Sequence, residues 1–165
     1  MDCYNFQYAV KFVCGKLDRD PVGPESHFKE AVAPGDYFTA INIHNPTDSD
    51  IVFRYKATVA FSPNQPRPPV SVSKFSYPTL GPDEALEIDC PEITDIIRKI
   101  PFDPPLELKF AKGFVVIESD VELDVVAVYT AAGGRERQVV SMHMERVAPR
   151  RPIRLPHFGP LPDQS

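Results

Sequence analysis

The 165-residue chain has no long apolar run, because no stretch approaches the 18 or so consecutive apolar residues of a transmembrane helix. It also lacks an excess of basic residues: 18 lysines and arginines stand against 23 aspartates and glutamates, for a formal net charge of -5. That balance provides no basic footprint for nucleic acid or an anionic membrane, so we expect neither as a partner. The N-terminal "MDCYNFQYAVKF" has no basic start before an apolar core, so no signal peptide is visible. We expect a cytoplasmic protein, or an extracytoplasmic one if the chain is a mature exported form.

Recognisable catalytic and cofactor motifs are also missing. The chain contains no GxSxG nucleophile elbow, no glycine-rich phosphate loop with its Lys-Ser/Thr, and no CxxC pair. We therefore predict no enzymatic activity and no cofactor. The alternative is a metal or small-ligand site that uses His44 and His143, since imidazole and carboxylate groups suit zinc or iron where they converge. The carboxylates considered with these histidines are Asp48, Asp50 and Asp89.

Proline is abundant and glycine scarce, with 19 and 8 residues. Because proline breaks helix interiors, the chain cannot be mainly helical. The segment "IVFRYKATVAF", residues 51–61, alternates apolar and polar side chains as a half-buried strand does, and "YAVKFVC", "DYFTAINIH" and "VELDVVAVYTA" show the same period. About eight such segments predict an all-β fold, an antiparallel β-sandwich of immunoglobulin-like or jelly-roll-like type.

One segment has helical periodicity. In "CPEITDIIRKI" four isoleucines, at positions 93, 96, 97 and 100, follow the i, i+3, i+4, i+7 spacing of one helix face. Asp89 or Cys90 can cap this helix, and Pro91 fits its first turn. We predict one short helix near residues 91–100.

Two connections carry polar residues. In "NIHNPTDSDIVF" we expect His44 to end a strand and Asn45 to bond the turn backbone, in a hairpin or an arch between sheets. Near residues 118–124 the "SD" dipeptide predicts a tight hairpin. The acidic side chains around this turn would form either the solvated face of a strand or a calcium site made of carboxylate oxygens. They are Glu118, Asp120, Glu122 and Asp124.

Cys14 and Cys90 each end a strand-like run, so a disulfide between them is one prediction. It would close a long loop and stabilise the fold by roughly 4 kcal/mol in the chain-entropy model. The alternative is two buried free thiols, a common state for cysteine. Cys3 is left over and can pair between chains.

The stretches "YAVKFVCG", "PGDYFTAINIHNP" and "KGFVVIESDVELDVVAVYTA" resemble small uncharacterised bacterial immunoglobulin-like β-sandwich proteins. The asparagine, turn and strand pattern of "NIHNPTDSDIVF" is similar to arches in chaperone-like and adhesion-type sandwich modules. The resemblance implies a fold and no activity. The chain departs from the antibody pattern of cysteine, tryptophan and cysteine, because it has no tryptophan.

The C-terminal stretch "VAPRRPIRLPHFGPLPDQS" is rich in proline and arginine. We predict a sandwich domain over residues 1–146 and an extended arm over residues 147–165. Proline stiffens such an arm and lowers the entropy cost of docking it, and its arginines complement an acidic body. The arm either packs on its own sandwich or reaches a neighbour. Its predicted partner-binding residues are Arg150, Arg151, Ile153, Arg154, Leu155, Phe158 and Leu161. The function predicted from these features is a non-enzymatic module that forms a homo-oligomer or binds a protein partner through sheet edges and this arm.

Overall fold

The computed structural model describes residues 4–17, 33–61, 63, 68–102, 108–133 and 138–151. Within them every strand pairing is antiparallel, and the strands are accompanied by one short helix, so the all-β prediction is confirmed. In chain order the elements are β1 (Phe6–Leu17), β2 (Gly35–His44), β3 (Ile51–Val52), β4 (Arg54–Val59), β5 (Thr79–Leu80), β6 (Ala85–Asp89), α1 (Cys90–Arg98), β7 (Phe110–Ser119), β8 (Asp124–Gly133) and β9 (Gln138–Arg146). No helix in these ranges is both long and apolar enough to span a membrane.

Seven of the strands form one continuous sheet that folds into two layers around one core, and β3 and β5 pair in a separate two-stranded sheet. The first layer contains β4, β7 and β1 in that order. In the second layer β2 lies between β6 and β8, and β9 lies beyond β8. β1 and β2 pair with each other only where Gly15 to Leu17 meet Gly35 to Tyr37, and this corner joins the layers. Alternate side chains of both layers are buried, as their period-2 patterns predict. The largest of them are Tyr8, Phe12, Phe53, Ile41, Ile43, Ile88 and Ile117.

Helix α1 covers the end of this core. The Asp89 carboxylate caps it by accepting a hydrogen bond from the Glu92 backbone N–H at 3.1 Å. Ile93, Ile96 and Ile97 are buried on one face, so the isoleucine spacing predicted both the helix and its inward side. The helix ends at Arg98, two residues before the end of the predicted range.

The connection from β2 to β3 is an arch. β2 pairs with β6 and β8 in the second layer, whereas β4, which follows β3, pairs with β7 in the first. Of the two geometries that the turn residues allowed, the chain therefore adopts the one that crosses between layers.

The hairpin predicted near residues 118–124 is wrong. β7 pairs with β1 and β4, and β8 pairs with β2 and β9, so the connection crosses from the first layer to the second. Glu118 is buried and does not lie at a solvated hairpin tip. The guanidinium of Arg54 lies 2.7 Å from its Oε2 atom, and the Gln7 amide donates to its Oε1 atom at 2.8 Å. A buried carboxylate needs such partners.

The outer edge of β4 is covered. Tyr55 bridges to Ser76, Thr58 bridges to Val72, and the Ser73 hydroxyl accepts a hydrogen bond from the Ala57 N–H at 2.9 Å. The segment 71–77 thus contributes isolated bridges along this edge. The opposite end of the strand order is β9, and it has no strand on its outer side in the described part of the chain.

Candidate functional site

The two candidate metal-binding histidines lie in different places. His44 ends β2 with its Nδ1 atom 3.4 Å from Asp124 Oδ2 and its Nε2 atom 3.7 Å from Asp83 Oδ1. His143 lies on β9, opposite Tyr129 of the neighbouring strand β8. Because Asp124 and Tyr129 are five positions apart on β8, the two histidines are separated by roughly 16 Å along the strand direction.

The structure therefore does not bring His44 and His143 into one site. Alternation also places them on opposite faces of the second layer, since His44 belongs to the solvent-facing set and His143 to the set that continues the inner face. Over the described ranges, no group of three or more histidine, cysteine, aspartate and glutamate side chains is arranged to hold a metal ion.

Asn45, beside His44, has a structural role. It is fully buried, and its side-chain amide donates to the carbonyl oxygens of Ser49 at 2.9 Å and Gly81 at 2.8 Å. Its Oδ1 atom accepts from the Thr47 N–H at 3.0 Å and from the Thr47 hydroxyl at 2.7 Å. Asn45 thus holds both the arch and the turn before β6.

Cys14 and Cys90 form a disulfide in the structure, with Cα atoms 5.5 Å apart. It connects β1 in the first layer to the first residue of α1, beside the second layer. Both residues are buried, so the bond belongs to the core. Cys3 lies outside the described residues.

The most unusual element is β9, because all nine of its side chains are exposed. It pairs with β8 on one side only. Its outward face carries two methionines, with Met142 73% and Met144 70% exposed. Exposed edge strands are sites at which further strands add, and natural proteins usually protect them with charges, prolines or covering loops.

The methionines belong to a larger apolar surface, here called the outer patch. Across the second layer, Met142 is opposite Thr130 and Met144 is opposite Val128. Those two residues are in turn opposite Phe38 and Ala40 on β2, and Phe38 is 49% exposed. The outer patch therefore consists of Phe38, Ala40, Val128, Met142 and Met144.

The inner side of β9 lines a different feature, here called the flank cleft. Its volume is about 340 Å³, within the range of small-ligand pockets. It lies on the side of β1 that carries Lys11 and Val13, opposite the buried side chains of Val10 and Phe12. Its wall includes residues of β1, β2, β8 and β9, namely Lys11, Val13, Tyr37, Phe38, Tyr129, Thr130, Ala131, Ser141, His143 and Glu145.

Three of these residues form a cluster. The His143 ring is stacked on the Tyr129 ring with centroids 6.2 Å apart, and the Tyr129 hydroxyl donates to Glu145 Oε2 at 3.4 Å. Burial and then the nearby Glu145 charge raise the pKa of Tyr129 to about 12, so its hydroxyl remains a hydrogen-bond donor at neutral pH. Ser141 lies on the same face, but no hydrogen bond among the described residues joins it to His143 as a nucleophile and its base.

The sequence did not single out Tyr129, Glu145, Met142 or Met144. In "QVVSMHMER" the apolar and polar residues alternate from Val140 onward, a pattern that is typical of any half-buried strand. The methionines in fact face outward and the polar set lines the flank cleft. Period-2 alternation separates two faces but does not say which of them meets the core.

The start of the predicted arm packs on its own sandwich. The Val147 N–H donates to the Val125 carbonyl at 2.9 Å, and Arg150 exchanges two backbone hydrogen bonds of 2.8 Å with Gln7. Arg151 is exposed. The other predicted partner-binding residues, Ile153, Arg154, Leu155, Phe158 and Leu161, lie outside the described residues.

Searches with the chain found no matching family model, no matching curated protein and no matching solved structure.

Proposed function

We propose that this protein is a non-enzymatic interaction module that self-assembles by adding β9 of one copy to β9 of another. The observation that carries the proposal is the fully exposed β9, whose outer edge has no strand partner in the described ranges. The contrast with β4, whose edge is covered by bridges from segment 71–77, supports a specific use of the β9 edge.

The backbone of β9 is oriented for such pairing. Val147 N–H donates to Val125 O, so the odd-numbered residues of this strand direct their backbone groups toward β8. Met142, Met144 and Arg146 therefore direct theirs toward the open edge. A second strand placed there satisfies these groups and extends the sheet.

The charges on β9 favour an antiparallel arrangement. Its C-terminal end carries Glu145 and Arg146, whereas Gln138 and Val139 at the N-terminal end are uncharged. Antiparallel pairing places the charged end of one strand beside the uncharged end of the other. Parallel pairing in register would place Glu145 beside Glu145, which is destabilising.

The outer patch supplies apolar area next to the paired edges. Two outer patches become continuous across paired β9 strands, and burial of apolar surface contributes about 25 cal/mol per Å² before the entropy of association is subtracted. The C-terminal arm is the second proposed contact. Its isolated apolar residues and arginines suit an extended segment that docks on the acidic body of a neighbour.

Assembly is tested by multi-angle light scattering and sedimentation velocity over a wide concentration range. We expect the wild-type chain to have twice the mass of a monomer, and the double variant Met142→Lys/Met144→Lys to be monomeric, because paired strands would bring four lysines together. The matched control is Val52→Lys, which replaces another exposed apolar strand residue, 54% exposed, away from β9. A wild-type chain that stays monomeric at every concentration contradicts the proposal.

The arm is tested separately by ending the chain after Arg151, which keeps the Val147 and Arg150 contacts with the sandwich. A lower association constant in this truncated chain is expected if the arm contributes. An unchanged constant removes the arm from the assembly and leaves the β9 edge as the interface.

A further inference from the structure

The flank cleft contains a carboxylate that has no cationic partner in the described part of the chain. Glu145 accepts a weak hydrogen bond from Tyr129, at 3.4 Å, and no basic side chain of these ranges lies within ion-pair distance of it. Lys11 also lines the cleft, but its ammonium group is directed to the Phe114 ring, 5.6 Å from the centroid. The cleft thus presents one negative charge beside the stacked rings of Tyr129 and His143.

A second place in the same protein shows which group a carboxylate and neighbouring aromatic rings bind. On the other layer, the guanidinium of Arg54 lies 2.7 Å from Glu118 and 4.2 Å from the ring centroids of both Tyr4 and Phe75. A planar guanidinium suits this environment because it forms directional bonds to a carboxylate and stacks on aromatic faces. Arg54 therefore combines one carboxylate with two aromatic rings.

We propose that the flank cleft is a binding site for a guanidinium group, which bonds the Glu145 carboxylate and stacks against the Tyr129 and His143 rings. The cleft supplies the carboxylate and aromatic faces found around Arg54, without the arginine. Tyr129 keeps its proton at neutral pH and so adds no second negative charge that would draw in a metal ion. The Val13 and Ala131 side chains border the cleft and provide apolar contact for the aliphatic part of the ligand.

Two sources share this chemistry: a free guanidine compound and an arginine side chain of a peptide. The cleft volume of about 340 Å³ accommodates a molecule of the size of arginine. The two sources differ in what lies outside the cleft, because a peptide backbone adds contacts with the exposed inner side of β9. Probes with and without a peptide backbone therefore distinguish them.

The site is tested by NMR titration of the isotope-labelled full chain with N-acetyl-arginine-N-methylamide. The matched ligand control is N-acetyl-citrulline-N-methylamide, which has nearly the same shape and no charge. We expect saturable shifts at Tyr129 and His143 with the arginine compound and at least tenfold weaker binding of the citrulline compound. Glu145→Gln should weaken arginine binding roughly tenfold, because a charge-assisted hydrogen bond becomes a neutral one. The matched protein control is Glu87→Gln, which removes an exposed carboxylate of β6 outside the cleft and should leave binding unchanged.

Equal binding of the arginine and citrulline compounds, equal effects of Glu145→Gln and Glu87→Gln, or no saturable shift at Tyr129 and His143 would each overturn the proposal. A peptide copying residues 148–154 then identifies the source: tighter binding than the single arginine compound indicates a peptide arginine, and equal binding indicates a free guanidine. The inference does not depend on self-assembly, since its groups face the cleft and not the open edge of β9. Repeating the titration on Met142→Lys/Met144→Lys separates a failure of the cleft from a failure of the interface.

Discussion

The hydroxyl of Thr39 replaces a missing strand partner for Val13. Its Oγ1 atom accepts a hydrogen bond from the Val13 N–H at 3.0 Å and donates one to the Val13 carbonyl at 3.0 Å. Val13 lies on β1 just before the three-residue pairing with β2 begins, so this contact extends the corner that joins the two layers. Thr39 is only 2% exposed, and the hydroxyl therefore satisfies backbone groups that water does not readily reach there.

Replacing Thr39 by valine should destabilise the fold although the shape of the side chain is kept. Both hydrogen bonds to Val13 are lost, and we expect the free energy of unfolding to fall by about 1–3 kcal/mol. Urea unfolding followed by circular dichroism measures the change. Thr79→Val, at an exposed strand position, is the control and should stay within about 0.5 kcal/mol of the wild type. Equal stability of the two variants would show that the Thr39 hydroxyl contributes nothing to the corner.

Removing the disulfide should cost stability without changing the fold. It closes a loop with a sequence separation of 76 residues, and the chain-entropy model gives about 4 kcal/mol for a loop of that length. We expect the double variant Cys14→Ala/Cys90→Ala to unfold at lower urea concentration. Mass spectrometry of the wild type after alkylation, with and without reductant, tests the bond itself: modification of Cys14 and Cys90 before reduction would mean that both are free thiols.

Asn45→Ala should be among the most destabilising single changes in the arch. It leaves the Ser49 and Gly81 carbonyl oxygens and the Thr47 N–H without their partner, and we expect a loss of about 3 kcal/mol. Asn42→Ala is the matched control on the same strand, where the half-buried side chain should cost less than about 1 kcal/mol. Thermal unfolding of the two variants compares them, and the interpretation is wrong if Asn42 proves the more important.

The titration of Tyr129 should depend on Glu145. Burial first and the Glu145 carboxylate second raise the pKa of Tyr129 to about 12, so Glu145→Gln should lower it. The unfolded-state pKa of tyrosine is about 10, and the folded value is higher. The associated stability is therefore complete below pH 10 and is lost as the pH rises toward 12. The difference in tyrosinate absorbance between the wild type and Tyr129→Phe gives the titration curve, and an identical midpoint in Glu145→Gln would exclude the coupling.

Local sequence patterns predicted the individual elements well. The alternation in 51–61 predicted one strand with Ile51, Phe53 and Tyr55 on the same face, and all three are buried. The break at Phe53, which divides this strand into β3 and β4, was not predicted. The isoleucine spacing predicted α1. These features were readable because side-chain direction repeats every two residues in a strand and every 3.6 in a helix, so a few neighbouring residues suffice.

The sequence by itself thus determined that the chain folds as an all-β protein with one short helix, and that Asn45 holds a turn. The tertiary structure alone decided which strands pair. The residues near 118–124 permitted a hairpin, but β7 and β8 cross between layers, where Arg54 neutralises the buried Glu118. The tertiary structure alone also decided that the methionines of β9 face outward and that its polar residues line the flank cleft. The reason is that alternation is a property of one strand. Strand pairing, the choice of the face that meets the core and the lining of the flank cleft depend on strands far apart in the chain.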